Sequence, residues 1–66
     1  MVDSTLLYNS IFHKVKVVDI AGNKIEGYVD VCESESDSDS GLVEIGLLPD
    51  LKWLRQDEIE SIEILD

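Results

Sequence analysis

A chain of 66 residues with a formal net charge of −10 has room for one thin core, since a chain of this size buries only about 60% of the surface it exposes when unfolded. Its one cysteine, Cys32, excludes an internal disulfide, and with His13 as the one histidine there is no Cys/His set for a zinc site. No apolar run is long enough to span a membrane and no basic segment precedes an apolar one at the start. The expectation is a cytoplasmic protein of a single domain, residues 1–66, without cofactor or metal.

Charge is unevenly placed. Residues 1–32 hold four acids and three bases, a net of −1, whereas residues 33–66 hold eleven acids and two bases, a net of −9. Such a field repels phosphate backbones and favours basic partners.

Met1 to Phe12 is predicted to hold a short helix. Asp3 or Ser4 can cap it, Val2 and Leu7 have the spacing of a hydrophobic staple, and Leu7 and Ile11 lie on one face. His13 to Ile20 is the first strand, and Ala21, Gly22 and Asn23 make a tight turn in which Gly22 or Asn23 takes positive φ. The second strand, Lys24 to Cys32, alternates strictly. Ile25, Gly27, Val29 and Val31 face one way, Lys24, Glu26, Tyr28, Asp30 and Cys32 the other, and Gly27 marks a bend or a close approach of another strand.

Glu33 to Gly41, ESESDSDSG, has no apolar residue and is expected to be a flexible acidic loop. Leu42 to Leu48 is the third strand with Val43, Ile45 and Leu47 on one parity and a second bend expected at Gly46, Pro49 and Asp50 turn the chain, and Leu51 to Arg55 is a short fourth strand. After one tight turn at Gln56 to Glu58, Ile59 to Leu65 is the fifth strand, with Ile62 and Ile64 inward.

A helix followed by five strands, the second bent at a glycine, resembles the Sm-like family of small SH3-like barrels. The run from Val15 to Gly27 is similar to the first half of the family's first motif, and Leu54 to Ile62 resembles its second. The resemblance implies a mainly β fold, a short helix followed by a five-stranded, strongly bent antiparallel SH3-like/Sm-like barrel. It also implies that the fourth strand is an edge able to pair with the fifth strand of a neighbour. The family's RNA pocket is not reproduced. The acidic loop has no asparagine and Arg55 is followed by Gln56 where the family has glycine, so Arg55 alone could be carried over as a nucleotide contact, next to four repelling acids.

Catalysis finds no support in this sequence. His13 sits at a helix-to-strand junction, and Cys32 has acidic neighbours, Asp30 and Glu33, which do not activate a thiol. Glu35, Asp37 and Asp39 have the spacing of the first ligands of a calcium loop, but position six is Ser40 and position twelve Gly46, where glycine and glutamate are required. Trp53 and Leu54 have opposite parity, so one of them faces outward. An outward Trp53 beside Leu51 is a protein-interaction anchor; an inward one is core. The expected function is that of a non-catalytic acidic Sm-like small barrel that binds a protein partner or itself, with an RNA or nucleotide binder using Arg55 as the alternative.

Overall fold

The computed structural model describes residues 1–66 and shows a short helix on one face of a single five-stranded antiparallel sheet. Helix α1 covers Ser4–Asn9, and the strands are β1 (Lys14–Asp19), β2 (Lys24–Glu33), β3 (Glu44–Leu48), β4 (Lys52–Arg55) and β5 (Ile59–Ile64), in spatial order β4-β3-β2-β1-β5. A 3-10 turn, Gln56–Glu58, joins the last two.

The mainly β fold with its short leading helix is as expected, but the closed barrel is not. β4 pairs only with β3 and β5 only with β1, so both are edges of an open sheet. The reason lies in the 3-10 turn. Its first amide, Gln56 N–H, donates to Val43 O at 2.8 Å and completes the β3–β4 ladder, while Glu58 O accepts from Ile20 N–H at 3.1 Å and hands the chain to the β1 side. The two edges are linked by this covalent turn and not by a ladder of hydrogen bonds.

The helix is shorter than Met1–Phe12. Asp3 caps it by accepting from Thr5 N–H at 2.9 Å, and both residues of the staple, Val2 and Leu7, are buried in the core. Leu7 docks with Val15, Val17, Val29, Ile45 and Ile59 on the inner face of the sheet. So short a helix has no stability of its own and persists through this burial.

The β1–β2 hairpin forms as the alternation requires, with Val15 opposite Gly27 and Val17 opposite Ile25. Gly22 takes φ +88°, and the Asp19 carboxylate accepts from Ala21 N–H, Asn23 N–H and the Asn23 side chain. Gly27 marks the close approach foreseen for it: a Cβ there would lie 2.6 Å from the backbone oxygen of Leu48.

The alternation of β2 breaks further on. Val29 pairs with Leu47 but Val31 pairs with Gly46, so Asp30 is the extra residue of a β-bulge. Beyond it the faces exchange: Val31, expected inward, meets the outer side of Gly46, and Cys32, expected among the polar residues, packs against the core. A second bulge, at Glu60, brings both Ile59 and Ile62 to the core side of β5. Ile64, expected inward, stays 41% exposed at the end of this edge strand. No helix is long and apolar enough to cross a membrane.

Candidate functional site

The outer face of β2–β3–β4 carries the site. Because Gly46 has no side chain, its outer side is a floor on which three others converge. A Cβ placed on Gly46 would lie 2.6 Å from Val31 Cγ1, 3.4 Å from Leu51 Cδ1 and 3.7 Å from Trp53 Cε3. Trp53 sits directly opposite Gly46 in the register, with Leu54 opposite Ile45. The parity of β4 is therefore resolved: Leu54 is core at 4% exposure and Trp53 is outward at 43%.

Leu51 holds an unusual backbone. It follows Pro49 and Asp50 in the turn with φ +48°, a left-handed conformation that costs a branched side chain about 1–2 kcal/mol. Its side chain nonetheless reaches the Gly46 floor while remaining 49% exposed. Leu51 and Trp53, the two residues singled out as an interaction surface, are thus brought together on one face.

β4 is also an edge with free backbone groups. Since the Gln56–Val43 bond belongs to a hydrogen-bonded pair, antiparallel alternation makes Leu54–Ile45 and Lys52–Leu47 hydrogen-bonded pairs as well. The N–H and C=O of Trp53 then point away from β3, off the sheet. Arg55 N–H points the same way and is taken by the Glu58 carboxylate at 2.9 Å.

Arg55 is not brought into this site as a free cation. Its Nε donates to Asp57 Oδ1 at 3.0 Å and lies 3.7 Å from Glu58 Oε1. The hydrogen bond that Arg55 donates to Asp57, then the charges of Asp57 and Glu58, hold the guanidinium pKa above its ordinary value. Those two acids already occupy the group that a phosphate would need.

Next to the floor, Tyr28 opposite Leu48, together with Lys14, Glu26 and Pro49, lines an open groove of about 510 Å³. The sequence marks Gly46 only as a second bend of the third strand and gives Val31 and this groove no part in a site. The one signal available was the adjacent apolar pair Val31-Cys32, which breaks a period of two and which a bulge accommodates.

The remaining reactive groups are engaged elsewhere. His13 Nδ1 lies 2.8 Å from Asp66 Oδ1, and Asp66 Oδ2 accepts from Lys14 N–H at 3.0 Å, a clasp that ties the end of β5 to the start of β1. These bonds, the Lys14 amide first, hold the Asp66 carboxyl below its ordinary pKa. Burial pushes the Cys32 thiol up. In the acidic loop, Ser34 Oγ donates to Asp37, Ser38 Oγ to Leu42 O and Ser40 Oγ to Glu44, and no group of three or more acids, histidines or cysteines is arranged to hold a metal.

No family model, curated protein or solved structure matches this chain. With no match and an open sheet, membership in the Sm-like family is not supported. The expected function as an Sm-like barrel, in its protein-binding or its RNA-binding form, falls with it.

Proposed function

We propose that this chain is a non-catalytic binding domain that engages another protein through the outer face and free edge of β4, with Trp53 and Leu51 as anchors. One observation carries this function: a half-exposed tryptophan and a leucine in strained left-handed backbone converge on a glycine floor at the free edge of the sheet. Interface anchors are enriched in tryptophan, which supplies a large rigid contact area. Strain of the kind seen at Leu51 persists where it serves a site. The burial-raised pKa of the Cys32 thiol supports the absence of a nucleophilic centre. Self-association through the same strand is opposed by the net charge of −10 on every copy.

The test combines affinity capture from lysate of the source cell with light scattering, each run on the wild-type chain and on Trp53→Ala. The proposed function predicts a protein whose recovery falls about tenfold in Trp53→Ala, the loss of one interface anchor. Identical captures and identical molar masses for the two chains would contradict it.

A further inference from the structure

We infer that the occupant of this surface is a basic, extended segment of another protein that adds to β4 as a sixth strand, its main chain bonding the N–H and C=O of Trp53. This deepens the function proposed above and rests on it. Three observations select strand addition over packing of a helix or a globular face. The β4 edge pairs with no further strand, and of its outward-pointing groups the Arg55 N–H is taken by the Glu58 carboxylate. Those of Trp53 remain free, and its indole also lies on the outer face, so one residue presents both the hydrogen bonds and the apolar contact. Alternate side chains of an added strand project to the same outer face, where Leu51 and Trp53 lie next to them.

Charge selects the chemistry of that strand. The edge is flanked by Asp50 on one side and by Asp57 and Glu58 on the other, and Glu44 stands beside Arg55 in the next row. Arg55 is neutralised by its own acidic neighbours, and Lys52, the other cation of the strand, interacts with the Asp19 carboxylate. The whole chain, at −10, adds a long-range attraction for cations that salt weakens. A segment alternating apolar with basic residues therefore fits, its bases drawn by the net charge of the whole chain, whereas a second copy of this chain brings acids to acids.

The probe is an end-capped nine-residue peptide of alternating lysine and valine, titrated against the full chain by isothermal calorimetry, a readout that does not depend on the one tryptophan and so serves Trp53→Ala equally. Two controls accompany it: a nine-residue lysine peptide, and the alternating peptide N-methylated at the residues that would face β4. The alternating peptide is expected to bind at least about tenfold more tightly than the lysine peptide. N-methylation is expected to weaken it by about tenfold, the effect of one or two lost main-chain hydrogen bonds, and Trp53→Ala by a similar factor. Equal affinity of the methylated peptide overturns strand addition but leaves the Trp53 anchor standing. Equal affinity of wild-type and Trp53→Ala chains for the alternating peptide overturns both. Tight binding of the lysine peptide reduces the attraction to charge alone and overturns the inference. A doubling of molar mass at high salt without peptide, lost in Trp53→Ala, makes the occupant a second copy and likewise overturns it.

Discussion

The two edges of the sheet are built to opposite ends. β5, the longer, carries a bulge at Glu60, acids at Glu60 and Glu63, and a clasp from Asp66 to His13 and Lys14 at its far end. Bulges and charges are the devices by which natural sheets keep an edge from pairing. β4 carries Lys52 and Arg55, but it has no bulge, its register with β3 runs unbroken, and the outward-pointing backbone it leaves free belongs to a tryptophan. In β5 the alternation set by the Leu65–Lys14 bond instead turns the groups of Ile62 and Ile64 outward, residues whose side chains lie on the core side. Both edges keep outward-pointing backbone groups, but a bulge interrupts β5 and a clasp holds its end, whereas those of Trp53 stand on an unbroken register.

The contrast breaks first at the glycines that shape the sheet. Gly27→Ala sets a Cβ 2.6 Å from a backbone oxygen that has no rotamer to yield, so a loss of about 3 kcal/mol is expected in urea denaturation. Gly46→Ala meets a side-chain atom of the stiff Val31 at the same distance. The expected cost is smaller, about 2 kcal/mol, with a shift in the Trp53 emission as the floor lifts. A variant with unchanged stability and emission would remove Gly46 from the site.

Making β4 resemble β5 sharpens the comparison. Trp53→Lys puts a charge on the open edge, and stability is expected to stay within about 1 kcal/mol because the side chain is half exposed. Binding of the alternating peptide should fall at least about tenfold.

Loosening β5 has the smallest effect and depends on pH. A carboxylate held below its ordinary pKa binds its proton less readily in the folded chain than in the unfolded one, so Asp66 stabilises the fold above about pH 4, and this contribution is lost as pH falls through the lowered folded value. Asp66→Asn should lower the urea midpoint at pH 7, and the difference from wild type should shrink toward pH 3. A difference independent of pH would show that the clasp does not act through the ionised carboxylate.

Much of the sheet was legible in sequence because period-two patterns meet turn residues: Gly22 at the hairpin, Pro49 after β3, and Val43, Ile45 and Leu47 on one parity. The Asp3 cap and the Val2–Leu7 staple were equally readable. The bulge at Asp30 was not, since its one trace, the adjacent apolar pair Val31-Cys32, fits equally a strand that ends with Cys32 on its polar face. That is why Val31 and Cys32 were assigned to each other's sides. The parity of β4 was undecidable because Trp53 and Leu54 are both apolar in a strand of four residues. Barrel closure was inferred from the order of elements, but order does not determine whether the last strand pairs with the one before it, and the bonds of the 3-10 turn send it to the opposite edge.

Amide hydrogen exchange, read residue by residue with and without the alternating lysine–valine peptide, tests the open edge most directly. At a peptide concentration ten times its Kd, exchange of the Trp53 amide should slow by about tenfold, while the Ile62 and Ile64 amides of β5 keep their rates. An unchanged Trp53 amide, or protection that appears at Ile62 and Ile64 instead, would contradict the assignment of β4 as the edge left open for a partner.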